Sequence, residues 1–125
     1  MYEVNRSVVL LIPQAPFWAW LQDLPGIDVE GLCLEDLQAD PNAYLLNPCE
    51  DLDDAWDKVE ERLEEIFSAE LADWCEDQAT WPDLHPDIFG EWFDLHLSTI
   101  VTDLGRAELE REPFEAILLD PPEED

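Results

Sequence analysis

A chain of 125 residues with 33 acidic and only 5 basic side chains carries a formal charge of −28 and has a pI near 4.1. That balance argues against direct binding of DNA or RNA, because the contacts that drive phosphate binding need Lys and Arg clusters that this sequence lacks. It does not imply disorder: 46% of residues are hydrophobic and six are Trp, which offsets the self-repulsion and suits one folded domain of this length.

In chain order, residues 6–12 (RSVVLLI) are apolar, β-branched and closed by Pro13, the pattern of a buried strand. The run is too short for a secretory core or a membrane span, so a cytoplasmic protein with no membrane contact is expected. Pro16 opens a short helix through Leu24, with Pro near its first turn. Phe17, Trp18, Trp20 and Leu21 exceed one narrow stripe, so Trp18 and Trp20 either pack on the sheet or anchor a binding surface. Residues 27–40 read as a loop with one helical turn around Leu34, and residues 43–47 as a second strand.

Residues 49–78 form the longest periodic segment and the most acidic one. Leu52, Trp56, Val59, Leu63, Ile66 and Phe67 recur at three- and four-residue steps, the buried stripe of a long amphipathic helix with Asp51 as N-cap. Beyond Phe67 the stripe rotates to Leu71, Trp74 and Cys75, so the helix either wraps its core or breaks near Ser68. Asp53, Asp54, Asp57, Glu60, Glu61, Glu64 and Glu65 project opposite the stripe, with Lys58 and Arg62 on one flank; Glu70, Asp73, Glu76 and Asp77 continue the ridge. Thirteen carboxylates and two cations then lie between Glu50 and Asp77. On a helix of roughly 42 Å this is a net charge about every 4 Å, comparable to one DNA strand.

A Pro-punctuated connection carrying Trp81 follows, then a helix from His85-Pro86 through about Leu95 with Ile88, Phe89, Trp92 and Phe93 inside. Residues 97–104 (LSTIVTDL) read as a third strand. Phe114 and Ile117 to Leu119 offer an apolar anchor before an acidic, flexible end at 121–125. The expectation is a single α+β domain over 1–120, with a three-stranded sheet packed against helices and one long acidic helix.

The stretches NRSVVLLIPQAPFWAWL, ELADWCEDQATWP and FGEWFDLHLSTIVTDL resemble a family of small acidic bacterial proteins of unknown function. The likeness spans most of the chain and implies no chemistry. Resemblance to DNA-mimic proteins is compositional.

Cys33, Cys49 and Cys75 are odd in number, widely spaced and outside any CxxC pattern, so they read as buried thiols and signal neither disulfides nor zinc. Phosphate-loop, nucleophile-elbow and zinc-helix motifs are missing, and His85 and His96 read as structural. Glu60, Glu61 and Glu64 with Glu91 and Asp94 imitate the EExxE and ExxD carboxylates of magnesium-dependent nucleotide pyrophosphatases, but abundant glutamate produces that pattern readily. The preferred reading is a non-enzymatic binding module without metal or cofactor. The acidic ridge engages a basic protein, most concretely as a nucleic-acid mimic that occupies its client's nucleic-acid face. An immunity-type or adaptor protein for a basic partner is the alternative within the same physics, and salt adaptation is a rival cause of the charge.

Overall fold

The β-branched run near the N-terminus forms the central strand in the computed structural model, which describes residues 1–112. Strand β1 (Tyr2–Val4) precedes it, and β2 (Ser7–Pro13) is that centre. β2 pairs antiparallel with β3 (Asn42–Leu46) on one side and β4 (Phe93–Ser98) on the other, giving the order β3-β2-β4. β1 pairs antiparallel with β5 (Val101–Asp103) in a separate two-stranded sheet. Between the strands lie α1 (Ala15–Asp23), α2 (Leu34–Ala39), α3 (Leu52–Glu61), α4 (Leu63–Ala72) and α5 (Pro86–Trp92), with a 3-10 turn at Gln78–Thr80. The fold is α+β, and no helix among the described residues is long and apolar enough to cross a membrane.

Side chains alternate along a strand, so β2 has two unlike faces. Ser7, Val9, Leu11 and Pro13 enter the core beside Phe93 and Leu95 of β4. Val8, Leu10 and Ile12 are only half-buried, next to exposed Ala43, Leu45, Asp94 and His96 on the paired strands. The strand is thus covered on one face, not both. The covering layer comes from Phe17 and Leu21 of α1, Val59 of α3, Phe67 and Leu71 of α4, and Phe89 of α5. Phe67 sits at its centre, edge-on to Phe89, Trp92 and Phe93 at centroid distances of 5.3, 5.8 and 5.9 Å. Such tilted geometry sets each positive ring edge against a negative face.

Long-range hydrogen bonds tie the connections to this core. The buried Ser7 hydroxyl accepts from the Cys49 amide at 2.8 Å, which fixes the approach to α3. The Trp20 indole donates to the Thr80 carbonyl at 2.8 Å while its ring lies against Phe17 and Trp92. Trp20 is therefore part of the packing, and the half-buried Trp18 also rests on the core.

Residues 49–78 do not form one long helix. α3 ends at Glu61; Arg62, at φ −119° and ψ 25°, leaves the helical region and α4 restarts at once, with the Ile66 amide on the Arg62 carbonyl. The break falls ahead of Ser68, which is buried inside α4. Its cause lies in the two burial patterns. α3 buries only Ala55 and Val59, a narrow stripe, whereas α4 buries Leu63, Ile66, Phe67, Ser68, Glu70 and Leu71. The helical run is interrupted at Arg62, where the narrow buried stripe of α3 gives way to the broad buried face of α4.

Three other expectations change. α5 stops at Trp92, and the strand expected at 97–104 is instead β4 and β5 on either side of a turn that the Ser98 hydroxyl closes on the Ile100 carbonyl. The run FDLHLS alternates, with Phe93 and Leu95 inward and Asp94 and His96 outward, and this period of two prevails over helical continuation. Cys33 is exposed rather than buried, while Cys49 is buried and Cys75 intermediate. Trp56 is half-buried at the rim, edge-on to Phe89 at 6.2 Å, and Leu52 is exposed. The apolar anchor at Phe114 and residues 117–119 and the flexible end at 121–125 lie outside the described residues.

Candidate acidic interface and its embedded carboxylate

The start of α3 is specified locally. The Asp51 carboxylate accepts from the Asp54 amide at 2.8 Å, and Asp53 and Asp54 in the first turn suit the positive end of the helix dipole. Asp54 is half-buried: it accepts from Lys58 at 2.7 Å and from the Glu50 amide at 3.0 Å, and the Lys58 bond chiefly holds its carboxyl below the usual range. One helix later, Arg62 pairs with Glu65 and lowers that carboxyl in the same way. Both cations of this region are thus committed to carboxylates of their own segment.

Asp53, Asp57, Glu60, Glu61 and Glu64 remain, all exposed, as is the paired Glu65. Asp73, Glu76 and Asp77 are exposed too, and Asp77 caps the 3-10 turn through the Ala79 amide at 3.1 Å. With two ten-residue helices of about 15 Å each, the ridge is two short acidic segments meeting at Arg62, not one straight array.

Glu70 does not belong to that exposed ridge. It is 6% exposed and points into the molecule from α4. Its Oε2 accepts from Asn42 Nδ2 at 2.5 Å and from the Tyr44 hydroxyl at 3.0 Å. Desolvation raises its pKa and Asp73 adds to the rise, while the two hydrogen bonds oppose it. Burial and the nearby Glu70 charge push the Tyr44 phenol far above its ordinary value. The helical spacing carried this signal: Glu70 is four residues past Ile66 and three past Phe67, which puts it on the inner stripe. Asn42 and Tyr44, two apart on β3, share the strand face that pairs with Leu11 and Val9 and looks toward the helices.

Beside Glu70 opens a cleft of about 300 Å³ between α2, β3 and α4. Leu11, Phe17, Leu37 and Phe93 form its apolar part; Asp36, Asp40, Asn42, Glu70, Asp73 and Trp74 supply the polar and aromatic wall. α2 is held there by Gln38, whose amide donates to the Pro13 carbonyl at 2.9 Å, and its first turn is closed by Asp36 accepting from the Cys33 amide at 3.0 Å. The helical turn expected around Leu34 is α2, but sequence reasoning missed this cleft, since nothing local to α2, Asn42 or Glu70 shows that they are brought together. The pyrophosphatase pattern is not gathered into a metal site: among the described residues no three His, Cys, Asp or Glu side chains are placed to hold an ion.

Comparison of the chain with protein-family models, curated proteins and solved structures returns no match.

Proposed function

We propose that the protein is a binding module that presents the outer faces of α3 and α4 to a basic surface of a client protein in the cytoplasm. The observation that carries this reading is the shortage of internal compensation: Lys58 and Arg62 are engaged with Asp54 and Glu65, leaving Asp53, Asp57, Glu60, Glu61 and Glu64 exposed and without an ion pair among the described residues. Carboxylates fixed on helices lose less conformational entropy on binding than those of a flexible acidic tail, and their field accelerates encounter with a cationic patch. Where that patch is a nucleic-acid face, binding excludes the nucleic acid, and the module acts as a competitive mimic. The break at Arg62 makes the fit that of two short segments rather than one extended strand.

The test is affinity purification from the host at low salt, then competition. Clients that bind nucleic acid and release a labelled duplex or RNA as the protein is added support mimicry. A single client that keeps its nucleic acid assigns the module to an immunity or adaptor role. Retention unaffected by raising salt contradicts the electrostatic reading, because exposed charges are screened beyond about 8–10 Å at physiological ionic strength.

A further inference from the structure

We infer that the uncovered face of the β3-β2-β4 sheet is a docking surface for a second copy of this chain, the two sheets packing face to face about a two-fold axis. The pairing itself does not depend on the proposed function.

The face is set by the alternation of β2. Val9 and Leu11 belong to the core cluster, against which Tyr44 and Leu46 of β3 and Leu97 of β4 also pack. The helices contribute their buried apolar side chains to that same cluster. Val8, Leu10 and Ile12 alternate with the core residues and lie on the other face, beside Ala43 and Leu45 of β3, and Leu45 is 55% exposed. A contiguous apolar patch on a sheet face marks a site of association.

Charge selects the occupant. Asp94 and His96 of β4 are the charged or titratable residues that share this face, so it offers a basic client little. It is also where a chain of formal charge −28 meets the least repulsion from its own kind. Asp94 Oδ2 and His96 Nε2 are 4.0 Å apart and both side chains are exposed, so each is within reach of a partner. A two-fold axis lying across the strands, level with Leu95, sets β3 on β3 and β4 on β4 in opposite directions. Ala43 and Leu45 then meet apolar counterparts, and Asp94 of each copy faces the other copy's His96, whose ring N–H donates to a carboxylate.

The acidic helices do not prevent this approach. Packed sheets lie about 10 Å apart, and α3 and α4 form a further layer of similar depth behind each, which separates the two acidic faces by roughly 30 Å, several Debye lengths. Size sets the strength. Three strands about 4.8 Å apart, each of about six residues rising about 3.3 Å, give a face on the order of 14 Å by 20 Å. This is below the about 800 Å² per partner of a stable interface, so the pair is weak and concentration-dependent, with a Kd in the micromolar to millimolar range. Such a pair turns two acidic faces in opposite directions and is bivalent toward a client, a consequence that does rest on the proposed function.

Sedimentation equilibrium of the full chain across the micromolar to millimolar range tests the pairing. A monomer–dimer equilibrium that tightens with salt is expected, because salt screens the repulsion between copies. Client binding should weaken with salt, so the two readings fail separately. Leu10→Lys should raise the dimer Kd at least tenfold; Leu45→Lys, at an exposed edge position, should do the same with an unchanged circular dichroism spectrum and keeps the test decisive if Leu10→Lys fails to fold. His96→Asp should also weaken the dimer by setting carboxylate against carboxylate, and Asp94→His combined with His96→Asp should restore it. A chain that stays monomeric at every concentration, with some other occupant on the face, would overturn the inference. So would a dimer that Leu45→Lys leaves intact, or a double variant that pairs no better than His96→Asp alone.

Discussion

Glu64 and Glu70 are the same residue on the same helix, six positions apart, and they do opposite things. Glu64 is exposed and makes no ion pair among the described residues, whereas Glu70 is buried, bonded to Asn42 and Tyr44 and held above its usual pKa by burial. Total charge does not distinguish them. The difference lies in the helical phase relative to Phe67 and Leu71, and it separates carboxylates available to a partner from one built into the fold. The acidic residues of α4 therefore fall into two populations, with different consequences on mutation.

The inner face of α4 should be the more costly to disturb. Phe67→Ala is expected to lower stability by about 3–5 kcal/mol, the range for emptying a fully buried aromatic site, measured by urea denaturation. Trp56→Ala should cost clearly less, because Trp56 lies at the rim; an equal loss would mean that the inner boundary is drawn wrongly. Glu70→Ala comes next. It leaves the Tyr44 hydroxyl without its acceptor and Asn42 with only the longer bond to Asp73, a penalty of about 1–3 kcal/mol, while Glu70→Gln retains an acceptor and should lose less. If both variants unfold at the wild-type urea midpoint, Glu70 is no more structural than Glu64.

pH sharpens the same contrast. The folded-state pKa of Glu70 is raised above its unfolded value, so the folded state holds the proton more tightly. The associated stability is fully present below the unfolded value, about 4.3, and is lost as pH rises through the raised folded value. Urea midpoints taken upward from pH 4.5 should therefore fall more steeply for the wild type than for Glu70→Gln. Parallel profiles would contradict this. Smallest of all should be the effect of Glu64→Gln, a thermal shift within about 2–4 °C at any of these pH values.

The contrast also explains what the sequence could show. β2, α1 and the Asp51 cap were legible because their signals are local: a β-branched run closed by Pro13, Pro16 in a first turn, a carboxylate three residues before a free amide. The break at Arg62 was not, since it arises from the unequal widths of the buried faces of α3 and α4, which only the packed core defines. β4 was hidden because Phe93 continues the inner face of α5 and also begins an alternating strand. Most of the outer carboxylates were placed correctly by helical phase. Glu70 was misplaced because its charge outweighed its position on the Ile66 and Phe67 stripe, and its partners Asn42 and Tyr44 lie twenty-eight and twenty-six residues away in the chain.

The central claim is that the outer carboxylates are a working surface, and charge reversal tests it most directly. Isothermal titration of the client purified at low salt should be run against the wild type and the Glu60, Glu61, Glu64 and Glu65 to Lys variant, with circular dichroism on both. Loss of binding by a variant that keeps the wild-type spectrum, together with steep weakening of wild-type binding from low to moderate salt, is the predicted result. Undiminished binding by the folded variant would contradict the account and leave α3 and α4 with a solvated acidic face.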